Sequence, residues 1–194
     1  MGFEYHSFKE MYICNNFFLI NPNLIIMANT YSQIYMHIVF SVKGRASLIT
    51  PQYEQELYSY ICGACHKRKH HVHAIGGMPD HVHILVGMNP SESVSELVRS
   101  LKIETCKLMH NHFGVSKFAW QSGFAAFSYS LAFIPMVSNY ILGQKEHHRK
   151  FSFKEELERI FEKAQIEYDE KYMMKGCDDN GDDGDGEDND DDEK

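Results

Sequence analysis

The sequence predicts an α+β domain: an antiparallel sheet with helices on its faces, followed by additional C-terminal helices. Two observations carry this. Between residues 31 and 130, β-rich runs and stretches of helical periodicity follow one another in the order β-α-β-β-α-β. The middle pair of strands is joined by Gly76-Gly77-Met78-Pro79-Asp80, a turn-forming span that makes them antiparallel neighbours.

The elements follow in order. Residues 1–26 have weak periodicity and end before Met27-Ala28-Asn29-Thr30, so they read as an N-terminal extension, with Met27 as a candidate natural start. Residues 31–42 are rich in β-formers and stop at Lys43-Gly44-Arg45, which predicts a long strand. Pro51 opens a helix on which Leu57, Tyr60, Ile61 and Ala64 keep helical spacing. Residues 72–75 form a short strand, 76–80 the turn, and 81–86 the antiparallel partner.

Ser91 or Ser93 caps a second helix that runs to about Met109, with Val94, Leu97, Val98, Leu101 and Ile103 roughly periodic. A strand is expected near 126–130. A third helix after Pro135 carries Tyr140 and Gln144, and a fourth begins at Ser152, where Ser152-Phe153-Lys154-Glu155 has capping-box form. The order resembles the split βαβ unit of ferredoxin-like or RRM-like (RNA-recognition-motif-like) domains with two extra helices.

The chain has 194 residues, 43% hydrophobic and 13% aromatic, enough for one domain with a substantial core. Its formal charge of -8 is unevenly distributed. Residues 178–194 hold 11 acidic residues and one lysine; removing these from 27 and 19 leaves 16 acidic against 18 basic residues in the body. The body is therefore mildly basic, which permits a local nucleic-acid patch without demanding one. The stretch 173–194 reads as a disordered acidic tail, because it has too little apolar surface to offset its ordering entropy.

Five cysteines in no disulfide-like pattern suit a reducing compartment, with the cytoplasm as the expected location. The apolar patch Phe17-Phe18-Leu19-Ile20 is interrupted by asparagines, so no span is long enough to cross a bilayer. Cys62-Gly63-Ala64-Cys65-His66 matches a haem-attachment pattern, but on a helix the two cysteines read more simply as small apolar residues. A haem or zinc protein is therefore the last-ranked class.

His81-Val82-His83 carries more chemistry. Alternate residues of a strand share a face, so the two imidazoles sit side by side, as a metal site requires. The apolar residues on the other face imply a half-buried strand with its histidines toward solvent or a cleft. His71-Val72-His73 has the same spacing, but it follows the basic run Lys67-Arg68-Lys69, and a solvated entry to a strand is the simpler reading. Tyr140 and Gln144 lie one helical turn apart and project from one face. The cationic turn that follows, with Lys145, His147, His148 and Arg149, suits a phosphate beside a nucleophilic phenol.

Several motifs in order resemble the single-tyrosine HUH transposases that mobilise the small insertion sequences of the two-hundred and six-hundred-and-five group. They are Tyr31-Ser32-Gln33-Ile34, the segment from Gly77 through His81-Val82-His83-Ile84, Trp120-Gln121-Ser122-Gly123-Phe124, the segment from Tyr140 to His148, and Ser152-Phe153-Lys154-Glu155-Glu156. Phe124 stands where the family often has tyrosine, and Gly143 where asparagine is common.

The resemblance implies a transposase domain over 27–172 that cleaves and rejoins single-stranded DNA at hairpin-bearing ends through a 5′-phosphotyrosine. Its C-terminal helices would carry the catalytic tyrosine, Tyr140. It implies Mg²⁺ or Mn²⁺ held by His81, His83 and Gln144, and a homodimer with active sites completed in cis or in trans. Lys43, Arg45, Lys102, Lys145, His148 and Arg149 are the candidate DNA contacts. The acidic tail lies outside the family pattern, and its repulsion of DNA suggests autoinhibition, to be tested by deleting 178–194. The alternative class is a non-catalytic or domesticated nucleic-acid-binding protein of the same fold, although none of the four site groups has been lost.

Overall fold

A computed structural model describes residues 31–168. The expected N-terminal extension, the start at Met27 and the acidic tail lie outside the described residues. Four strands form one antiparallel sheet in the order β2-β3-β1-β4: β1 (Tyr35–Ser41), β2 (His71–Met78), β3 (His81–Gly87) and β4 (Ala125–Tyr129). Between them run α1 (Pro51–Lys67) and α2 (Val94–Asn111). After β4 come α3 (Ile134–Leu142), α4 (Gln144–His147) and α5 (Phe153–Ala164). The expected α+β fold with helices on both sheet faces is present.

The alternation of each strand divides the core. Ile38 and Phe40 of β1 and Val82, Ile84 and Val86 of β3 face α1 and α2, joining Leu57, Ile61, Leu97 and Leu101 in the main cluster. Trp120 belongs to this side too, edge-on to Phe40, with Nε1 donating to Thr105 Oγ1 at 2.8 Å. On the other face, α3 packs Ile134, Val137 and Ile141 on Ala74 and Leu85, while α5 packs Phe153 and Leu157 on Val39, Ala125 and Phe127. A polar seam lies between these two smaller clusters.

Three elements differ from expectation. The first strand begins at Tyr35, because its ladder starts where Gly87 and Tyr129 stand opposite it. Gly76 and Gly77 extend β2 instead of turning, pairing with His83 and Val82, and the turn shrinks to Pro79 and Asp80. Gly76 has a packing reason: a Cβ there would strike the backbone carbonyl of Ile141, so only glycine lets α3 lie this close to the sheet. The single helix expected to carry Tyr140 and Gln144 is broken at Gly143 into α3 and α4, consistent with the low helix propensity of glycine. The caps at Ser93 and Ser152 are as predicted, the latter a complete capping box.

Candidate active site

His81 and His83 rise from β3 on the face that α3, α4 and α5 cover, beside Val39 and Ser41 of β1. They are buried, at 1% and 0% exposure, where the sequence suggested solvent or a cleft; the C-terminal helices roof the strand. Phe153 at the start of α5 stacks on His81 with ring centroids 4.0 Å apart.

Each histidine is held from behind. His81 Nδ1 lies 2.8 Å from Asp80 Oδ1; a carboxylate only accepts, so Nδ1 carries the proton and donates. Asp80 Oδ2 in turn accepts from Arg45 Nε and Nη2 at 3.0 and 2.7 Å. Burial raises the Asp80 pKa, but the His81 hydrogen bond and Arg45 outweigh it and hold the carboxyl at about 2. Burial lowers His81 to about 4 against the pull of Asp80, so at neutral pH its Nε2 presents a bare lone pair. His83 Nδ1 lies 2.9 Å from Nε2 of His37, a diagonal neighbour on β1 that burial, reinforced by His83, keeps neutral with a pKa of about 3.

The front of the pair faces Glu156 of α5, which is 1% exposed. Its Oε2 lies 3.5 Å from His83 Nε2 and 3.8 Å from His81 Nε2. Its Oε1 accepts from the Tyr140 hydroxyl and, at 2.8 Å, from Gln144 Nε2. The carboxylate's two oxygens thus serve different partners: one the histidines, the other the phenol and amide. His148 donates from Nε2 to Glu156 Oε2 at 3.0 Å and from Nδ1 to the Phe151 carbonyl at 2.9 Å. With acceptors on both nitrogens its pKa is raised despite burial. Burial pushes Glu156 upward, but the hydrogen bond from His148, the nearby His83 and the Tyr140 hydroxyl prevail and keep it well below the carboxylate range. Burial, then the Glu156 charge, push the Tyr140 phenol up.

The donor set fits a divalent cation. His81 Nε2, His83 Nε2 and Gln144 Oε1 are buried without a hydrogen-bond partner, a costly state that an ion would relieve. Nitrogen and oxygen atoms of His81, His83 and Glu156 lie within 4.8 Å of one another, the one such group of three among the described residues. Two imidazoles with oxygen donors suit a divalent metal ion. The His71 and His73 pair stands apart at the edge strand, where the β2 register shifts and His71 is exposed.

Of the basic residues predicted to meet DNA, Lys43, Lys145 and Arg149 are exposed, with Lys145 2.6 Å from Glu54 and Arg149 2.8 Å from Glu146. Arg45 is committed to Asp80. Lys102 donates to the carbonyls of Gln121 and Gly123, tying down the loop before β4, and burial lowers its pKa to about 8. His148 belongs to the buried cluster. Sequence reasoning passed over Glu156, Asp80 and His37. A signal for Glu156 was present: on α5 it falls between Phe153 and Leu157, on the apolar face, where a carboxylate is out of place.

The family model for IS200-like transposases matches residues 30–144, more than half the chain and inclusive of β1, the histidine pair, Tyr140 and Gln144. The chain belongs to the IS200-like transposase family. The fold agrees: a crystal structure of a Deinococcus radiodurans R1 protein described as a "putative transposase" aligns with TM-score 0.50 at 19% identity, over 60% of this chain and 95% of that one. A REP-associated tyrosine transposase bound to a REP hairpin aligns with TM-score 0.48 at 17% identity, over 62% of this chain and 72% of that one. No curated protein sequence matches. Glu156 lies beyond the matched residues of this transposase, on the helix that closes the site. No helix among the described residues is long and apolar enough to cross a membrane.

Proposed function

We propose that this transposase cleaves and rejoins single-stranded DNA at hairpin-bearing element ends, with Tyr140 as nucleophile and Mg²⁺ or Mn²⁺ held by His81, His83 and Gln144. Glu156 supplies a further oxygen. One observation carries the reading: the orphaned Nε2 atoms of His81 and His83 face a buried carboxylate, Glu156, that also accepts from the Tyr140 phenol and the Gln144 amide. A bound divalent ion would neutralise Glu156 and polarise the scissile phosphate.

The Tyr140 oxygen attacks phosphorus and the P–O3′ bond breaks: the strand on the 3′ side of the break stays on the protein through its 5′ phosphate as a phosphotyrosine, while the strand on the 5′ side leaves, its O3′ taking a proton from solvent to become a 3′-hydroxyl. Attack of a different 3′-hydroxyl on that phosphotyrosine reverses the step and joins new ends. The phenol proton already points at Glu156 Oε1, the acceptor in position to receive it. Tyr140 stands edge-on to His83 within one chain, which supports assembly in cis, and the family resemblance implies a homodimer in which assembly in trans is the alternative.

The test is to incubate the full chain with hairpin-bearing single-stranded DNA, with and without Mg²⁺ or Mn²⁺. A metal-dependent covalent adduct mapping to Tyr140 is expected, with Tyr140→Phe losing the adduct and retaining DNA binding. An adduct in the Phe variant moves the nucleophile elsewhere, and no adduct with any hairpin substrate removes the transesterase reading in favour of a binding protein.

A further inference from the structure

A cavity of about 650 Å³ opens directly from the Tyr140 side of the site. Tyr140, His147 and Glu156 form its inner end, whereas His81, His83 and Gln144 do not line it. Its walls are the site face of β4 (Phe127 and Tyr129), α3 through Met136 and Val137, and α5. Two cations, Arg159 and Lys163, sit one turn apart on the α5 wall. Apolar side chains at its mouth are unusually bare, Met136 at 58% and Ile166 at 42% exposure.

We propose that this cavity binds the nucleotide immediately 3′ of the cleaved phosphodiester, the one that stays joined to Tyr140 through its 5′ phosphate. The inference rests on the proposed transesterase and names where it holds its retained strand. In an in-line displacement the attacking and leaving oxygens lie on opposite sides of phosphorus, so the departing 3′ end belongs on the side of the orphaned ligand atoms. The retained nucleoside projects from phosphorus to the side, into space that adjoins both Tyr140 and Glu156; this cavity is that space. Its volume falls in the range of sites that enclose a small organic ligand. Aromatic and apolar walls give a base a stacking surface without reading its sequence, and Arg159 and Lys163 complement the following phosphates. The two ends of the cavity thus match the two ends of a nucleotide.

The test uses the full chain, the mapped hairpin substrate, and a variant that fills the cavity from its exposed wall, Ala164→Trp. Single-turnover adduct formation is compared for substrates carrying an abasic site immediately 3′ or immediately 5′ of the cleaved bond. The 3′ abasic substrate is expected to react about tenfold more slowly or worse, with little effect of the 5′ one. Ala164→Trp should slow the intact substrate similarly and become indifferent to the 3′ base. A 5′-phosphorylated oligonucleotide with 2-aminopurine as its first base should be quenched on binding to the native protein and not to Ala164→Trp. Equal rates with and without the 3′ base, or a Trp variant as fast and as well quenched as the native protein, overturn the proposal. Conversion of a dimer to a monomer by Ala164→Trp, without loss of quenching, would assign the cavity to a second copy instead. Quenching without any adduct would retain the nucleotide site while removing the transesterase reading.

Discussion

Nε2 of His37 and Nδ1 of His83 lie 2.9 Å apart although 46 positions separate them in the chain, their rings nearly parallel at 25°. For His83 Nε2 to offer a lone pair to an ion, its Nδ1 must hold the proton and donate to His37, which burial keeps neutral. His37→Phe preserves the flat ring and removes the acceptor. Mn²⁺ affinity measured by calorimetry should fall by roughly 10-fold to 100-fold with the fold retained by circular dichroism. Unchanged affinity would show that His37 only fills space.

Asp80 does the same for His81 and joins it to Arg45. Asp80→Ala leaves His81 free to rotate and Arg45 without its carboxylate. Mn²⁺ affinity should drop by a similar factor of roughly 10 to 100. Because the chemistry of Tyr140 is untouched, excess Mn²⁺ should restore much of the adduct; failure of that rescue would place Asp80 in a different role.

Gly76 and Gly63 form a contrasting pair. A Cβ at Gly76 meets the Ile141 backbone, whereas at Gly63 on α1 it meets nothing within 4 Å. Gly76→Ala should destabilise the protein by about 1–3 kcal/mol in urea unfolding and displace α3, reducing adduct formation by Tyr140. Gly63→Ala should instead raise stability by up to about 1 kcal/mol and leave adduct formation alone. Equal responses in the two variants would refute close packing as the function of Gly76.

Acid should destabilise the metal-free protein. His37 and His81 have folded pKa values near 3 and 4, below the ordinary 6.5, so between those limits the unfolded chain binds more protons. Stability therefore rises with pH across this window and is lost on acidification from about pH 6.5, by up to about 3 kcal/mol for His81 alone once its folded pKa is passed. The depressed Glu156 adds loss in the same direction below the carboxylate range. The raised pKa of His148 acts oppositely, its contribution being full below pH 6.5 and lost as pH rises through the folded value. The melting temperature should fall between pH 7 and pH 4.5, and His37→Phe should flatten the slope; an identical slope in that variant would exclude His37 as a source.

Most of the elements were legible because their signals are local. Pro51 opens α1, and the caps at Ser93 and Ser152 fix helix starts through bonds to residues three positions on. The errors lie where a neighbour decides. Residues 31–34 have strand composition but stand before the β1 ladder, and Gly76-Gly77 has turn composition but is held extended against β3. Lys102 and Arg45, candidate DNA contacts by charge, also hold partners within the fold that no local signal announces.

The sequence by itself determined that His81 and His83 share a face, because the period of a strand belongs to the chain, and it set Gln144 four positions after Tyr140, on a helix that breaks at Gly143 between them. Tertiary structure decided that these two pairs meet, that both histidines are buried, and that Glu156 stands between them and the phenol. It also placed His37 and Asp80 behind the imidazoles and left a cavity beside Tyr140. Those relations depend on strand order and on how α3 and α5 divide one sheet face. Packing of distant apolar surfaces fixes both, and no local period encodes it.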